Sequence, residues 1–179
     1  MRVGFTTLGC KVSQYETQAI AEEFLRRGAE VSEDGEGCDA FVINTCTVTS
    51  ESDRKSRQAI RRAISKNPKA RVAVVGCYSQ RAKEEIAKIE GVYAILGTDG
   101  KMAVVDLLMV EERRETPILA VTPLEGARFE PMRVSSFPRA RAYVKIEDGC
   151  DCRCSYCAIS AARGPVRSKE LSEIGRAHV

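Results

Sequence analysis

The sequence lacks the features of a membrane or secreted protein. No apolar run approaches the roughly 18 residues that a transmembrane helix requires, and the N-terminal MRVGFTTLGC has no charged region followed by a long apolar one. The net charge is only +3, so total charge alone gives no argument for a nucleic-acid partner. We therefore expect a cytoplasmic protein with neither a membrane nor DNA as its partner.

Cysteine, in contrast, is frequent. The chain contains eight cysteines, and a cytoplasmic chain does not usually keep them as disulfides, because cellular thiol pools reduce them. Their number favours metal ligation or redox chemistry. Taken one at a time, however, each cysteine could equally be a small buried hydrophobic residue. Their positions relative to the predicted strands and helices must therefore distinguish metal ligands from buried hydrophobic residues.

Apolar runs and helical periodicity alternate through the first hundred residues. Strands are predicted at 2–7, 39–44, 71–75 and 92–96, with a short one at 29–31, and helices at 13–27, 50–67, 81–89 and 101–112. Ser13, Ser50 and Ser79 are the predicted helix caps. Alternation without hairpin signals predicts the α/β class, with a doubly wound, mostly parallel sheet.

The composition then changes. Residues 113–140 contain four of the six prolines and little periodicity, which predicts a linker between a first domain, 1–112, and a second part, 141–172. Residues 142–146, AYVKI, are predicted to form a fresh strand that leads into a cysteine cluster.

Three cysteines of the first domain occupy equivalent places. Cys10, Cys46 and Cys77 each follow a predicted parallel strand, and the carboxyl ends of such strands form the edge where α/β proteins bind ligands. A helix start follows each cysteine, and helix N-termini favour thiolates and an anionic metal cluster. Three unrelated buried cysteines are the alternative. Cys38 precedes its strand and is interpreted as a bystander.

The other four cysteines lie within eight residues. Cys150, Cys154 and Cys157 form CxxxCxxC, in which three thiolates can hold three irons of a cubane 4Fe-4S cluster and leave the fourth iron open. An open position is what catalysis requires, whereas structural metal sites are usually closed. A zinc site that also uses Cys152 is the alternative, and spacing alone does not exclude it.

The segment DRKSRQAIRRAISKNPKAR, residues 53–71, carries eight basic residues and one acid. A solvated helix face and a surface that faces phosphates explain this pattern equally well.

These motifs together resemble a known family. CxxxCxxC with Tyr156 before its last cysteine resembles the radical S-adenosylmethionine enzymes. The segments TLGCKVSQYET, VINTCTVTSESDRKSRQ, VVGCYSQ and VKIEDGCDCRCSYCAI, with Arg163-Gly164, resemble the methylthiotransferases among them. The combination of GCKVSQYET, NTCTVT and DRKSRQ is most similar to the members that modify threonylcarbamoyladenosine beside the tRNA anticodon.

The resemblance implies two 4Fe-4S clusters and S-adenosylmethionine as cofactors. It assigns an auxiliary cluster, which takes part in sulfur delivery, to Cys10, Cys46 and Cys77. It assigns the cluster whose open iron chelates S-adenosylmethionine to Cys150, Cys154 and Cys157, with Tyr156 beside the cofactor; Cys152 stands where the family has a non-ligand.

The implied reaction replaces hydrogen at adenine C2 with a methylthio group, after one-electron cleavage of S-adenosylmethionine to a radical. The implied partners are the tRNA anticodon region and an electron donor. The implied second part is the first strand and cluster loop of a partial α/β barrel.

The chain is shorter than members of that family and ends 22 residues after Cys157. Its last residues, 173–179 (EIGRAHV), resemble a translated sequencing adapter, so we predict a non-native tail on a fragment that is inactive alone; the only histidine, His178, lies there and is given no role. Two alternatives stay open. One is a family member that modifies a ribosomal-protein aspartate, and the other is a non-catalytic metal-binding or RNA-binding module.

Overall fold

The computed structural model describes residues 1–32, 35–110, 114, 116–137 and 141–175. Its centre is a sheet of six parallel strands in the order β2-β1-β3-β4-β5-β6. This confirms the predicted fold class. The strands are β1 (Arg2–Thr7), β2 (Glu30–Ser32), β3 (Ala40–Thr45), β4 (Arg71–Gly76), β5 (Val92–Leu96) and β6 (Ile118–Ala120).

Helices cover both faces of the sheet, and each face has its own apolar core. On one face, Ile20 and Phe24 of α1 pack with α5 on Val42 and Ala73. On the other face, α2, α3 and α4 pack on the opposite side of β3 and β4. All six residues of β3 are buried, because a central parallel strand is covered twice. The helices are α1 (Lys11–Arg26), α2 (Ser50–Lys66), α3 (Cys77–Arg81), α4 (Lys83–Ala87) and α5 (Ala103–Met109).

The helices begin earlier than the predicted serine caps. Cys10 is the residue before α1, Thr49 caps α2 by accepting a hydrogen bond from the Ser52 amide (3.1 Å), and α3 begins at Cys77 itself. Ser13 and Ser79 therefore lie inside their helices. The capping predictions are therefore wrong. Thr49, one residue before Ser50, takes the capping position of α2, and Cys10 precedes α1 without a side-chain cap. At α3, β4 ends at Gly76 immediately before the helix, which leaves no room for a cap.

The segment predicted to be a linker contains a strand. β6 pairs with β5 in the register Ala94 with Ile118 and Leu96 with Ala120, so its apolar residues extend the open edge of the sheet. The predicted boundary at 112/113 falls on residues outside the described part of the chain, as does Ala140. The domain division therefore stays a prediction.

The strand predicted at 142–146 is wrong. These residues form no strand, because their side chains turn toward α1: Lys145 pairs with Glu16, and Tyr143 packs on Phe137 beside Tyr15. The described C-terminal elements are β7 (Glu147–Asp148), α6 (Ile159–Arg163), β8 (Arg167–Ser168) and α7 (Leu171–Gly175), with β7 and β8 antiparallel.

No helix in these described ranges is long and apolar enough to cross a membrane. Of the predicted tail, Glu173 to Gly175 belong to α7, and residues 176–179, with His178, lie outside the described residues.

Candidate functional site

The first three cysteines lie at one edge of the sheet. Cys46 directly follows β3 and Cys77 directly follows β4, two strands paired up to their ends through Thr45 and Gly76. Cys10 follows β1, which pairs with the other side of β3. The fold therefore places them at the carboxyl ends of three adjacent strands.

Two glycines permit the close approach of these turns. Gly9 has a φ of +111°, and a Cβ there would lie 2.9 Å from the Cβ and 3.1 Å from the Sγ of Cys46. Gly76 has a φ of +104°, and a Cβ there would lie 2.6 Å from the Asn44 Oδ1 and 2.7 Å from the Thr45 carbonyl oxygen. Both positions combine a left-handed conformation with contact distances that exclude any side chain.

The thiols of this set differ in environment. Cys10 is exposed, whereas Cys46 and Cys77 are buried. Burial raises the pKa of Cys77, against the opposing charges of Arg163 and Lys101. For Cys10, desolvation also raises the pKa, but the amide and hydroxyl of Ser13 and the charge of Arg163 outweigh it, so the net pKa is lowered.

The second set lies on the loop between β7 and α6. The Cys150 amide donates to the Gly164 carbonyl (3.0 Å), and the Cys157 amide donates to the Cys154 carbonyl (3.0 Å), so backbone bonds fix both ends of the loop. The Ile159 amide lies 3.4 Å from the Cys157 Sγ. The loop borders a cavity of about 480 Å³, whose lining includes Leu124, Cys150, Arg153, Ser160 and Gly164.

Tyr156 and Cys152 are both on the solvent side of this loop. Tyr156 is 90 % exposed, so its ring is available to a bound molecule. Cys152 is exposed, and a hydrogen bond with Cys150, followed by the proximity of Cys150 and Cys154, raises its pKa. The fourth thiol thus lies beside the first and second cysteines of CxxxCxxC, Cys150 and Cys154.

Within the described ranges, no three Cys, His, Asp or Glu side chains are close enough, as they stand, to hold a metal ion. The structure brings the elements that carry each cysteine set together, but not the thiols into one coordination sphere. The assignment of Cys10, Cys46, Cys77, Cys150, Cys154 and Cys157 as ligands therefore stays a prediction.

A buried charge network beside the first set was missed by the sequence analysis. Glu16 of α1 is fully buried and pairs with Lys101, with Lys145 at 2.8 Å and with Arg163 at 3.0 Å. Burial alone would raise the pKa of Glu16, but Lys101, Arg163 and Lys145 together hold it far below its usual range. The sequence did contain an indication that Glu16 is buried, since Glu16 lies four residues before Ile20 and therefore on the apolar face of α1.

A second carboxylate completes this network. Asp148 of β7 pairs with Lys145 at 2.6 Å, with Arg163 at 2.8 Å and with Arg167 at 3.5 Å. Burial raises its pKa, but the charges of Arg163, Lys145 and Lys101 outweigh burial, so the net pKa is lowered.

Cations outnumber carboxylates in this network. Lys145, Arg163 and Arg167, together with Lys101, whose pKa burial lowers, face two carboxylates, and a third, Glu130, is nearby with a pKa that burial raises. Buried charge without a partner is costly, so the surplus favours an anionic neighbour. Three thiolates with an iron–sulfur core would be such a neighbour, and Arg163 and Lys101 lie beside Cys77. The donor set and its charge environment fit a 4Fe-4S cluster.

The exposed face of α2 is strongly basic. Arg54, Lys55, Arg61 and Arg62 are all exposed, and Glu51 pairs with the first two at 2.7 and 3.8 Å. The helix begins close to Cys46, because the buried Ser56 hydroxyl donates to the Cys46 carbonyl (3.1 Å). This basic face therefore starts at the cysteine edge of the sheet.

Comparisons with known proteins agree with these features. Residues 2–97 match the model of the family described as Uncharacterized protein family UPF0004. The chain is 42 % identical over 174 residues to the threonylcarbamoyladenosine tRNA methylthiotransferase MtaB of Bacillus subtilis, covering 96 % of this chain and 39 % of that protein. It is 38 % identical to the MtaB of Aquifex aeolicus, covering 97 % of this chain and 43 % of that protein.

A second kind of relative matches over the same span. The ribosomal protein uS12 methylthiotransferase RimO of Azorhizobium caulinodans is 30 % identical over 176 residues, which cover 98 % of this chain and 37 % of that protein. The chain thus spans about two fifths of the length of the curated relatives that it matches.

Proposed function

The chain belongs to the methylthiotransferase family, with a UPF0004 domain at residues 2–97, and we propose that it carries the cluster-binding cysteines of a radical S-adenosylmethionine-dependent tRNA methylthiotransferase. The proposed reaction is methylthiolation at C2 of threonylcarbamoyladenosine, beside the tRNA anticodon. The observation that carries the proposal is the placement of three cysteines on adjacent strand ends, beside a CxxxCxxC loop tied to that edge by buried ion pairs.

In this proposal the two cysteine sets have different tasks. Cys10, Cys46 and Cys77 hold the auxiliary 4Fe-4S cluster, which takes part in sulfur delivery. Cys150, Cys154 and Cys157 hold the second cluster and leave one iron open, where bound S-adenosylmethionine supplies the radical and the methyl group.

In this proposal the surrounding residues bind and orient the cofactor and the tRNA. The exposed ring of Tyr156 is beside the position of the cofactor, and the basic face of α2 contacts the phosphates of the tRNA. Arg163 and Lys101 offset the negative charge of the thiolates. An electron donor, a further proposed partner, supplies the single electron that the chemistry requires.

Metal counting on this chain tests the proposal. After anaerobic reconstitution with iron and sulfide, we expect about eight irons per chain, since each cubane holds four. Cys46→Ala and Cys154→Ala should each remove about half of the iron, and the double variant nearly all of it. Cys38→Ala, which changes a buried cysteine outside both sets, is the matched control and should keep the full content. Bound zinc without broad visible absorbance would refute the iron–sulfur assignment.

The RimO similarity supports a second candidate, methylthiolation of a ribosomal-protein aspartate. RNA binding separates the two substrates. A tRNA anticodon stem-loop that binds more tightly than ribosomal protein uS12 supports the tRNA reaction, and the reverse order supports the alternative. A chain that holds neither iron nor S-adenosylmethionine but still binds RNA is a non-catalytic RNA-binding module.

A further inference from the structure

Arg163 lies where the two cysteine sets meet. It is the last residue of α6, six positions after Cys157, and it is buried. α6 packs against α3, the helix that begins with Cys77. The carbonyl of the preceding residue, Ala162, accepts a hydrogen bond from the Thr98 hydroxyl (2.8 Å), which fixes the end of α6 on the first domain.

The guanidinium of Arg163 hydrogen-bonds two parts of the chain, and its charge acts on a third. Its Nη1 donates to the Glu16 Oε1 (3.0 Å) on α1 and to the Asp148 Oδ1 (2.8 Å) on β7, just before Cys150. Its Nη2 lies 3.3 Å from the Glu16 Oε2. Its charge also acts on the Cys77 thiol of α3, where it opposes the rise in pKa that burial causes. A planar, permanently charged group with five donors suits such a junction better than an ammonium.

The other cations of the network differ from Arg163 in position. Lys145, which precedes β7, and Arg167 of β8 pair with carboxylates of the network. Lys101 lies beside Cys77 but on the first domain, like Cys77 itself. Arg163 is therefore a cation of the second cysteine segment whose charge acts on thiols of the first set, Cys10 and Cys77.

We infer that Arg163 is a positioning residue for both cysteine sets. It anchors the CxxxCxxC loop to the edge of the sheet through Glu16 and Asp148, and it supplies positive charge to the thiolates of the first set. This inference rests on the proposed function, because it takes the first set to hold an iron–sulfur cluster. Arg163 orients the CxxxCxxC loop and stabilises the thiolates of the first set, but it does not take part in bond making.

The reduction potential of the first cluster tests the charge role. Cys150, Cys154 and Cys157 are replaced with Ala, so that only the first set can bind iron, and Arg163→Met is compared with Arg163→Lys in that background. Removal of a neighbouring positive charge disfavours the added electron, so Arg163→Met should shift the midpoint potential to more negative values. Arg163→Lys, which keeps the charge, should stay near the parent. Arg167→Met, which removes a buried cation that pairs with Asp148, is the matched control and should shift it less.

Equal shifts for Arg163→Met and Arg167→Met, or no shift for either, overturn the inference. If Arg163→Met does not fold, the double variant Glu16→Gln/Arg163→Met removes a buried charge of each sign. The inference requires that this double variant, compared with Glu16→Gln alone, also has a lower potential. A double variant that binds iron at the potential of Glu16→Gln overturns it.

Amide hydrogen exchange on the metal-free chain tests the anchoring role without any cluster. Arg163→Met should speed exchange at the Cys150 amide, which donates to Gly164 next to Arg163, and Arg163→Lys should speed it less. Unchanged exchange in Arg163→Met contradicts anchoring. If the wild-type chain binds no iron, the proposed function fails, while amide exchange still tests the anchoring role. If the chain binds iron but neither the midpoint potential nor amide exchange changes in Arg163→Met, only the inference fails.

Discussion

At the scale of single residues, Glu16 is a charged side chain with no exposure to solvent. Its carboxylate is fully buried among Lys101, Lys145 and Arg163. The removal of one partner from a buried ion pair leaves the other charges uncompensated.

We therefore expect Glu16→Gln to lower the free energy of unfolding by about 3–5 kcal/mol, measured by urea denaturation. Glu51→Gln is the control. Glu51 pairs with Arg54 and Lys55 on the surface, so its substitution should lower the free energy of unfolding far less. Equal effects of the two substitutions would show that the network does not contribute as described.

The exposed Cys152 gives a second prediction at this scale. It lies beside Cys150 and Cys154, yet the proposed cluster does not need it. Cys152→Ser should leave the iron content of the reconstituted chain unchanged, whereas Cys154→Ser should lose about half of it, the share of one cubane out of two. A loss of the same size in both variants, measured by iron analysis, would mean that the ligand assignment is wrong.

At the scale of elements, the turns between strands and helices determine how closely the cysteines approach. Gly76 joins β4 to α3, and a Cβ there would contact backbone atoms of Thr45 that cannot move aside. Gly100 also has a positive φ, +68°, but no atom lies within 4 Å of its Cβ position.

Gly76→Ala should therefore destabilise the chain by about 3 kcal/mol or more, since backbone strain and steric overlap add. Gly100→Ala should cost only the left-handed conformation, about 1–2 kcal/mol. Thermal or urea unfolding of both variants checks this. Similar losses would show that strain at φ, and not the close approach of β3, is what requires glycine at the cysteine edge.

The helix α2 gives the prediction about RNA. Arg61 and Arg62 are exposed on its basic face, so Arg61→Glu/Arg62→Glu should weaken binding of an anticodon stem-loop roughly tenfold and reduce the salt dependence by about two phosphate contacts. Fluorescence anisotropy at several salt concentrations measures both quantities.

Arg26→Glu/Arg133→Glu provides the matched control for α2. The two arginines line the same cavity beside α1, which lies on the other face of the sheet. Their substitution changes the net charge by the same amount as the α2 variant. This pair should change the affinity less than twofold if α2 is the contact surface. Equal weakening by both pairs would indicate attraction to overall charge and not to α2.

At the scale of the whole molecule, the buried network ties the segment at 141–168 to the parallel sheet. The pKa of Glu16 is held low by Lys101, Arg163 and Lys145, and that of Asp148 by Arg163, Lys145 and Lys101, in both cases against burial. A carboxyl group with a depressed pKa in the folded state stabilises the fold above its unfolded pKa and loses this contribution as the pH falls.

The free energy of unfolding should therefore decrease as the pH falls below about 4.3, the usual pKa of an unfolded Glu. The decrease should be smaller in Glu16→Gln, which has one fewer carboxylate to protonate. Urea unfolding between neutral and acid pH measures the slope. A Glu16→Gln chain with the full acid sensitivity of the wild type would contradict the assignment of this effect to the network.

The sequence by itself determined the parallel α/β class and the position of most strands and helices, because apolar runs and periodicity report local burial. It also placed Cys10, Cys46 and Cys77 at strand ends, since a strand and the residue that follows it are neighbours in the chain. The match of these motifs to a methylthiotransferase followed from the same local information.

Only the tertiary structure decided which distant groups meet. Glu16 and Arg163 are 147 positions apart, and nothing local to either shows that they share a hydrogen bond. The same holds for β6, whose short apolar run became a strand because β5 offered an unpaired edge, and for residues 142–146, whose strand-like pattern found no partner strand. The apolar pattern of the sequence indicates whether a residue is buried, whereas the packing of elements distant in sequence determines which residues it contacts.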